Sequence, residues 1–481
     1  MKSYDLVVIG SGAGLLVLEE GLKRGLSCAL VERDNIGGTC LNRGCIPSKV
    51  VIEPADLIRE AERAARIGLR VPKPELDWEV LSRRLWAKIG RHRDMEENLA
   101  GTPNLTLYRG TAEFTGERRL RVARNDGSGW TEEFEGGRVV VASGGRTFVP
   151  PIPGLEETGY VTTELFFGSK FPGRPWPSLV IIGGGIIAAE FAHAFSAFGT
   201  KVTLVEMLPR LLSTEEPEVG ALVERVFRRH MEVLLNSKAV AVRAEGGRKV
   251  VTIEDAKTGA KTDVAADEIL VAVGRRSNAD LLHVEKTGLR TAKGGWIAVN
   301  EFLETNVPGI WAIGDATGVY QFRHKANADA YVCAHNLFSD LKEKRAVDYS
   351  AVPWAVYTHP QVGHVGMTEA EARAAGQEVL VAVHRYSEIA KGYAMGFEPG
   401  DEDDGFVKLV TDKGRRILGA HVVGPQAAIL VQPFVYLMTA GASCPEAGTV
   451  LPIEFSMVIH PSLSEVTGWA VENLEPPAAG D

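Results

Sequence analysis

Short runs of consecutive apolar residues alternate with helix-like stretches through most of the chain. Residues 4–9 form the first run, and a segment with helical periodicity follows it as far as about residue 25. A second apolar run, residues 27–31, ends at Glu32. Unbroken apolar runs of this length are typical of strands buried on both faces of a parallel sheet. The opening pattern therefore predicts a strand, a helix and a second strand of an α/β domain.

A glycine-rich turn joins the first strand to the first helix and contains Gly10, Gly12 and Gly14. A strand, a glycine turn, a helix and a strand that ends in an acid about twenty residues later form the layout of a dinucleotide-binding unit. In that layout the pyrophosphate rests on the helix N-terminus and Glu32 binds the ribose hydroxyls. Leu15 replaces the third small residue, so a glycine turn in an unrelated α/β unit is the alternative for this motif taken alone.

The same layout returns in residues 179–206, where Ala188 keeps the third position small. The second strand of the repeat again ends in an acid, Glu206. A carboxylate there suits a free ribose 2′-hydroxyl and repels a 2′-phosphate, which favours NAD(H) over NADP(H). Two fingerprints, each with its acid, predict two bound dinucleotides. The residues expected around the second one are Gly183, Gly185, Ile186, Ile187, Glu206 and Gly274.

The remaining pattern separates a central region from a different C-terminal one. Between the two fingerprints, helices are predicted over residues 50–66 and 78–99, followed by an antiparallel meander over 105–141 and a stiff linker at 150–154. From about residue 347 the chain has no glycine fingerprint. Its pattern there indicates an α+β unit with strands at 405–410 and 416–423 and helices at 368–375 and 427–440.

Length and composition limit the classes of protein that fit. A chain of 481 residues is expected to hold more than one domain. The net charge of -9 argues against nucleic acid or an anionic membrane as a partner. Residues 1–5 lead directly into the first strand, so no signal peptide is expected, and polar or helix-breaking residues interrupt the most apolar runs, 180–191 and 427–442. Five cysteines are too few for a disulfide framework and point to a reducing, cytoplasmic location.

Two of these cysteines, Cys40 and Cys45, stand in a segment shaped by glycine and proline. In a regular helix their spacing corresponds to about 7.5 Å along the axis, so a disulfide needs a distorted turn, for which Gly44 supplies backbone freedom. A disulfide that closes so short a loop is opened easily, as a redox centre requires. Pro47 is expected to delay the helix until after the bend. Lys49 would then lie one turn beyond Cys45, where its charge could stabilise a thiolate.

A purely structural interpretation of this segment is also open. Cys40 and Cys45 could be unrelated buried cysteines that never pair, like the core thiols expected at Cys28, Cys333 and Cys444. The position of both cysteines in a glycine- and proline-shaped loop, rather than on an apolar face, favours the redox interpretation. We expect no metal site in the chain.

Near the C-terminus, His460 precedes Pro461, which holds it in an extended conformation. Ser462 and Glu465 have the spacing of a capping box, so helix capping is a structural explanation for Glu465. The functional interpretation is that Glu465 orients His460 as an acid/base. A redox dithiol needs a proton acceptor, which favours that interpretation, and both can hold together.

Two motifs are highly specific in combination: Gly-Gly-Thr-Cys-x4-Cys-x-Pro-Ser-Lys at residues 37–49 and His-Pro-Ser-x-x-Glu at residues 460–465. With them the chain resembles the class I FAD-dependent pyridine nucleotide-disulfide oxidoreductases over essentially its full length. The resemblance implies an α/β fold with two Rossmann-like dinucleotide-binding domains, one for FAD and one for NAD, and a C-terminal α+β dimerisation domain. The implied boundaries are 1–149 and 275–346 for the two parts of the FAD-binding domain, 150–274 for the NAD-binding domain and 347–481 for the dimerisation domain.

The resemblance also implies roles for the redox residues. Cys40 matches the interchange thiol that attacks the substrate disulfide, and Cys45 matches the charge-transfer thiolate under the flavin. Lys49 and Glu190 match the ion pair beside flavin N5.

For the remaining site residues the resemblance implies contacts with the cofactor and with a second subunit. His460 and Glu465 match the acid/base pair that in this family reaches the cysteines of the other subunit, so an obligate homodimer is implied. Asp315, which ends an apolar strand, matches the ligand of the flavin ribityl chain, although a turn at a strand end would explain it structurally. The residues implied to bind FAD are Gly10, Gly12, Gly14, Glu32, Thr39, Lys49, Ala112, Gly144, Gly314, Asp315 and Arg323.

Different segments resemble different branches of the family. Glu206 and the Pro-Ser-Lys ending of the loop are similar to dihydrolipoamide dehydrogenase, the shared component of 2-oxo acid dehydrogenase complexes. Residues 187–193, 277–282 and 426–428 are more similar to mycothione reductase, and Arg323 stands where dihydrolipoamide dehydrogenases usually carry alanine. The tail, residues 471–481, has no cysteine pair, which disfavours the mercuric reductase branch.

The resulting hypothesis is oxidation of dihydrolipoamide, free or on a carrier protein, to lipoamide with NAD+ through a Cys40–Cys45 disulfide. One rival is an NAD(P)H-dependent reductase of another low-molecular-weight disulfide, similar to mycothione reductase. A second rival is a flavoprotein that acts mainly as a binding or assembly partner. Membership of a 2-oxo acid dehydrogenase complex follows only under the first hypothesis.

Overall fold

The structure is a computed structural model that describes residues 1–339, 343–413, 416–440 and 456–460. Cys444 and Glu465 lie outside the described residues. The chain divides into two compact units. The first unit comprises residues 1–48, 83–148 and 275–349, and the second comprises residues 49–82, 149–274 and the described part of 350–481.

The N-terminal 148 residues contain six strands and five helices. They are β1 (Lys2–Ile9), α1 (Gly14–Lys23), β2 (Cys28–Glu32), α2 (Gly38–Asn42), α3 (Cys45–Arg63), α4 (Trp78–Ile89), α5 (His92–Ala100), β3 (Leu105–Phe114), β4 (Arg119–Arg124), β5 (Phe134–Val141) and β6 (Gly145–Thr147). The next stretch, to residue 274, contains α6 (Leu155–Thr158), α7 (Thr163–Phe166), β7 (Ser178–Ile182), α8 (Ile186–Ala197), β8 (Lys201–Val205), α9 (Pro217–Phe227), β9 (Glu232–Leu234), β10 (Ser237–Glu245), β11 (Arg248–Asp255), β12 (Lys261–Ala266) and β13 (Glu268–Val271).

The rest of the described chain begins with three elements that return to the first unit. They are β14 (Arg275–Ser277), β15 (Ile310–Ala312) and α10 (Arg323–Phe338). The elements after residue 350 are β16 (Pro353–Val356), β17 (Val362–Gly366), α11 (Glu369–Ala374), β18 (Val379–Arg385), α12 (Ala390–Ala394), β19 (Phe406–Asp412), β20 (Ile417–Val423), α13 (Ala427–Leu430) and α14 (Gln432–Thr439).

The first unit is built on a six-stranded sheet in the order β1-β2-β3-β4-β5-β15, in which β1 also pairs with β5. Strands β1 and β15 both run parallel to β5, so the carboxyl ends of these three strands lie at one edge of the sheet. Helices α1 and α10 pack on the sheet through the buried side chains of Val17, Leu18, Ala330 and Cys333. Ligands of parallel α/β sheets bind outside the carboxyl ends of the strands, so this edge is the expected cofactor edge.

The second unit contains a parallel sheet and two antiparallel sheets. The parallel sheet has the order β13-β7-β8-β9. Nine of the twelve residues of α8 are buried, so this helix is apolar almost all round and is fixed by packing rather than by an amphipathic face. The antiparallel sheets are β10-β11-β12 and β16-β17-β20-β19-β18. Helices α13 and α14 pack on the second of them through Ala428 and Val435.

Three helix predictions need correction. The helix expected to begin after Pro47 begins at Cys45, because a proline in the first turn lacks only an N–H that has no partner inside the helix. The helix expected over residues 78–99 is divided near Gly90 into α4 and α5, and glycine is a weak helix former. The helix expected over residues 427–440 is divided into α13 and α14 just before Pro433. Among the described helices, none combines the length and apolar character needed to cross a bilayer.

Candidate redox centre and dinucleotide sites

The first glycine turn lies at the carboxyl end of β1 and is shaped by two close backbone approaches. Gly10 has φ +101°, and a Cβ there would lie 2.3 Å from the carbonyl oxygen of Ala142. At Gly14 a Cβ would lie 2.7 Å from Cγ1 of Val8, so α1 approaches β1 at this residue. Leu15 is only half-buried. In this layout the third small residue, at position 15 here, usually makes the close contact between helix and strand. In this chain Gly14 makes that contact instead.

Glu32 is buried at the end of β2, where short hydrogen bonds hold its carboxylate against this turn. The backbone N–H and the hydroxyl of Ser11 donate to Oε2 at 2.8 and 2.7 Å, and the N–H of Asp34 donates to Oε1 at 2.8 Å. A Cβ at Gly12 would still have 3.9 Å to its nearest neighbour, Nη1 of Arg323. The turn thus combines space, a helix N-terminus and a fixed carboxylate, which is the set of features that a dinucleotide requires.

The cysteine loop packs directly on the first fingerprint. The N–H of Gly37 donates to the hydroxyl of Ser11 at 3.0 Å, and a Cβ at Gly38 would lie 2.8 Å from Cα of Gly12. The buried side chain of Asn42 donates to three backbone carbonyls of the loop, those of residues 35, 36 and 38. These contacts fix the segment that carries the thiols beside the dinucleotide turn.

Cys40 lies in α2 and Cys45 is the first residue of α3. Their Sγ atoms lie within 4.8 Å of one another, and both residues are half-buried. Between them, a Cβ at Gly44 would lie 3.0 Å from the carbonyl oxygen of Thr39, so the bend is tight there. The structure therefore brings the two predicted redox thiols together in a turn that is not a continuous helix.

One turn after Cys45, Lys49 forms an ion pair with Glu190 of α8. Lys49 Nζ lies 2.8 Å from each carboxylate oxygen of Glu190 and 4.4 Å from the ring centre of Tyr357. The backbone N–H of Tyr357 also donates to Glu190, at 3.0 Å. Only 8% of the Glu190 side chain is exposed, so the lysine charge and the backbone N–H compensate a carboxylate that is mostly removed from water.

The remaining residues implied to bind FAD lie on the first unit. Gly144, with φ +63°, follows β5, while Gly314 and Asp315 follow β15. The carboxyl ends of β5 and β15 lie beside the carboxyl end of β1, so the residues that follow these three strands lie at the cofactor edge. Asp315 lies 3.5 Å from Nη2 of Arg275. Ala112 is buried in β3, Thr39 lies in α2, and Arg323 begins α10.

A buried ion pair supports the turn at residues 314–317. Lys325 Nζ lies 2.7 Å from Oδ2 of Asp329, and both side chains are fully buried. The same carboxylate accepts the N–H of Gly314 at 2.8 Å and the hydroxyl of Tyr349 at 2.7 Å. Because Asp329 has a cation and two further donors, its charge is well compensated, and it fixes the backbone next to Asp315.

The second fingerprint has the same construction as the first. Gly183 has φ +117°, and a Cβ there would lie 2.4 Å from the carbonyl oxygen of Ala272. Nothing lies within 4 Å of a Cβ at Gly185, which precedes Ile186 and Ile187 at the start of α8. Gly274 has φ +130° and follows β13.

Glu206 is buried beside this second turn and is held by the backbone. A Cβ at Gly184 would lie 2.8 Å from its Oε2, and the N–H of Leu208 donates to its Oε1 at 2.7 Å. Arg210, the nearest basic residue along the chain, donates instead to the carbonyl oxygen of Ser213 at 2.7 Å. These contacts place the Glu206 carboxylate at the end of β8, while the guanidinium of Arg210 contacts Ser213 instead.

His460 lies on the second unit in a short segment that is anchored to α14. The side chain of Gln432 accepts the N–H of Ile459 at 3.1 Å and donates to the carbonyl oxygen of Met457 at 3.3 Å. Ile459 is buried, whereas His460 is half-buried. Its pairing with Glu465 falls outside the described residues and stays a prediction.

Comparison with known proteins extends this picture to the whole chain. A family model described as pyridine nucleotide-disulphide oxidoreductase matches residues 4–330. The chain belongs to this family. A second model, the dimerisation domain of the pyridine nucleotide-disulphide oxidoreductases, matches residues 352–471. The predicted fold class, with dinucleotide-binding domains followed by a C-terminal dimerisation domain, is confirmed.

Several relatives within this oxidoreductase family match almost end to end. Mycothione reductase of Mycobacterium tuberculosis is 33% identical over 98% of this chain and 100% of its own length. Dihydrolipoyl dehydrogenase of Thermus scotoductus is 33% identical over 98% of both chains. The solved structure of the HOCl-induced flavoprotein disulfide reductase RclA from Escherichia coli, in a Cu(II) complex, has a TM-score of 0.78 and 28% identity over 99% of this chain and 100% of that chain. FAD and a pyridine nucleotide are the cofactors of the family.

This member of the family also carries a partly buried histidine–aspartate pair that was not predicted from the sequence. His193, one turn after Glu190 on α8, places Nε2 2.7 Å from Oδ1 of Asp56 on α3. Burial raises the pKa of the Asp56 carboxyl to about 7 and lowers the pKa of His193 to about 3. The two helices are therefore joined by the Lys49–Glu190 ion pair and by this short contact between a carboxyl and an imidazole. The two partners are 137 positions apart, a separation at which no local spacing could have paired them.

Proposed function

We propose that this oxidoreductase is a homodimeric FAD enzyme that oxidises dihydrolipoamide, free or bound to the carrier of a 2-oxo acid dehydrogenase complex, with NAD+. The observation that carries the proposal is the placement of the Cys40 and Cys45 sulfurs within 4.8 Å, in a loop packed on the first dinucleotide turn. A thiol pair in that position can exchange electrons with a dithiol substrate on one side and with a bound flavin on the other.

The first unit offers features that fit FAD. The space beside Gly12, the fixed carboxylate of Glu32 and the half-buried Asp315 suit a pyrophosphate, a ribose and a ribityl chain respectively. Lys49, held by Glu190, would contact the flavin ring. When bound, FAD supplies the transfer of an electron pair between thiols and nicotinamide.

The chain's own residues account for the sulfur chemistry. A substrate thiolate attacks Sγ of Cys40, which breaks the Cys40–Cys45 bond and releases Cys45 as a thiolate. The second substrate thiol then attacks the substrate sulfur of the mixed disulfide, which frees Cys40 and forms cyclic lipoamide. His460 accepts the proton from the attacking thiol, and the Lys49 charge, one helical turn from Cys45, favours the Cys45 thiolate. In the proposed homodimer, His460 serves the cysteines of the second copy.

A direct comparison of substrates tests the proposed reaction. The purified FAD-loaded protein should reduce NAD+ with dihydrolipoamide at a kcat/KM at least about tenfold above the value for any other dithiol. The reverse reaction, NADH oxidation by lipoamide, should exceed oxidation by mycothiol disulfide or coenzyme A disulfide by a similar factor. Faster turnover of one of those disulfides would overturn lipoamide as substrate and leave the redox centre in place.

A reductase of another low-molecular-weight disulfide is the second candidate function. It is supported by the end-to-end similarity to mycothione reductase and by residues 187–193, where His193 contacts Asp56. The two functions share the thiol chemistry and differ in the direction of net electron flow and in the substrate. The same substrate comparison therefore decides between them.

Coenzyme choice is expected to follow Glu206. Because a buried carboxylate at the end of β8 repels a 2′-phosphate, the wild-type protein should use NADH in preference to NADPH. Replacing Glu206 by glutamine removes the charge and should reduce the NADH/NADPH ratio of kcat/KM by roughly 5- to 30-fold, since one close like-charge contact is worth on the order of 1–2 kcal/mol. Glu245→Gln, which changes an exposed carboxylate in β10 of the same unit, should leave the ratio unchanged. A wild-type preference for NADPH would contradict the assignment.

A further inference from the structure

A second group of chemically active side chains lies in the second unit, away from the glycine turns. Glu215 lies two residues before the start of α9, His364 lies in β17, and His421 lies in β20. His364 and His421 are directly opposite each other in the antiparallel pair of β17 and β20. At most 1% of each of the three side chains is exposed. One oxygen of Glu215 and one ring nitrogen of each histidine all lie within 4.8 Å of one another.

Hydrogen bonds to backbone carbonyls fix both imidazole rings. Nε2 of His364 lies 3.0 Å from the carbonyl oxygen of Gly366, and Nε2 of His421 lies 3.0 Å from that of Met367. A carbonyl oxygen only accepts, so both Nε2 atoms carry hydrogen, and in the neutral ring each Nδ1 carries a lone pair. Metal-binding histidines are oriented in the same way, by a hydrogen bond from the ring nitrogen that does not bind the metal.

The two Nδ1 atoms and a carboxylate oxygen meet at one point. Nδ1 of His364 lies 2.9 Å from Oε2 of Glu215 and 3.2 Å from Nδ1 of His421. In a tetrahedral zinc site with bonds of 2.0–2.1 Å, neighbouring ligand atoms are roughly 3.3 Å apart. The other oxygen of Glu215 accepts the indole N–H of Trp354 at 2.6 Å, which holds the carboxylate in place.

The charged side chains around Glu215 and the two histidines also favour a bound cation. Glu215 and Glu216 are buried carboxylates, and the buried ammonium of Lys408 lies 2.9 Å from Oε2 of Glu216. Lys408 additionally contacts Glu218 and Glu369, at 3.1 and 3.0 Å, so its single charge is shared among three carboxylates. With neutral histidines the buried group keeps an excess negative charge, and an uncompensated charge in the interior is costly.

We propose that Glu215, His364 and His421 form a binding site for one zinc ion, which joins the start of α9 to the five-stranded sheet. Two imidazole nitrogens and one carboxylate oxygen are ligands that Zn²⁺ accepts, whereas Mg²⁺ and Ca²⁺ prefer oxygen ligands alone. One dication would bind both Nδ1 atoms and the Glu215 oxygen, and it would also neutralise the excess negative charge. A single proton shared between His364 and Glu215 is the competing arrangement.

The spacing of the ligands explains why the sequence analysis expected no metal site. His364 is 149 positions from Glu215, and His421 is a further 57 positions along the chain. Zinc sites can be recognised from sequence when two to five residues separate the two ligands of a pair. Here the pairing of β17 with β20 and the packing of α9 create the site.

Zinc binding to the full-length FAD-loaded protein tests the site. The experiment uses a Cys40→Ser/Cys45→Ser background, because thiols bind zinc themselves. Metal is first removed with a chelator, and ZnCl₂ is then titrated in competition with a chromophoric chelator. We expect one Zn²⁺ per chain, and His364→Asn should weaken binding by at least about 100-fold. His384→Asn is the matched control, because His384 is an exposed histidine in β18 of the same sheet, and it should leave binding unchanged.

A second measurement keeps the test decisive if His364→Asn does not fold. X-ray absorption at the zinc edge of the loaded Cys40→Ser/Cys45→Ser protein should show two imidazole ligands and an oxygen ligand, with no sulfur. Failure of that protein to bind zinc at micromolar concentration, or retention of binding in folded His364→Asn, would overturn the zinc site. Either result would leave the shared proton as the cation of this cluster.

Discussion

Replacing Cys45 by serine is expected to abolish oxidation of dihydrolipoamide while FAD stays bound. The hydroxyl has nearly the volume of the thiol but forms no disulfide, so the substrate has no bond to open at Cys40. Loss of an essential nucleophile or leaving group commonly costs on the order of 10⁴-fold or more in kcat. Steady-state reduction of NAD+ by dihydrolipoamide measures the effect, and the visible absorbance of the flavin confirms that the cofactor is present.

A control and a companion variant make this result specific. Cys28→Ser should retain turnover, because Cys28 is a core thiol whose Sγ lies 3.5 Å from the carbonyl oxygen of Leu26, an acceptor that serine can also use. Cys40→Ser should be as inactive as Cys45→Ser, but without any added reductant it should show the long-wavelength absorbance of the Cys45 thiolate beside oxidised FAD. Survival of that absorbance in Cys45→Ser would mean that the roles of the two cysteines are exchanged.

The second large effect is expected at His460. Removing the imidazole in His460→Ala takes away the proposed proton acceptor and should reduce turnover by about 10²–10⁴-fold, the usual contribution of a general base. His460→Gln keeps hydrogen-bonding capacity but accepts no proton, so it should lose nearly as much activity. The measurement is kcat as a function of pH, in which the limb due to the base should disappear from both variants. Near-normal turnover of either variant would contradict the role.

Mixed dimers can show whether His460 serves the cysteines of the other subunit. In a dimer of one His460→Ala chain and one Cys45→Ser chain, a site shared between subunits leaves one of the two sites intact. Such hybrids should then recover about half of the wild-type turnover, although each parent variant is nearly inactive. Sites contained within single chains would leave the hybrid with no intact site, so absence of recovery in a purified hybrid would contradict the shared arrangement.

The parts of the fold that rest on local patterns could be read from the sequence. Both glycine turns lie between the predicted strands and helices, and Glu32 and Glu206 stand at the predicted strand ends. The bend between Cys40 and Cys45 was also predictable, because Gly44 acts on its immediate neighbours, whereas the expected effect of Pro47 on the start of α3 was wrong.

Features created by packing between distant segments could not be predicted. The close approach of α1 to β1 is made by Gly14 rather than by the expected position, because the contact depends on where Val8 lies. Asp56 and His193 are 137 positions apart, Glu215 and His364 are 149 apart, and His364 and His421 are 57 apart. Neither periodicity nor a short motif carries information at that range.

The start of α3 at Cys45 has a consequence for how this chain tolerates insertions. Cys45 and Lys49 lie one turn apart in the same helix, so the helix alone sets the angle between their side chains around its axis. One residue inserted between positions 45 and 49 would rotate the lysine by about 100° around the helix axis and carry it away from Glu190. The same insertion after Arg63, where α3 ends, would leave the angle between Cys45 and Lys49 unchanged. The length of this first helical turn is thus fixed by chemistry, and the length of the connection that follows is not.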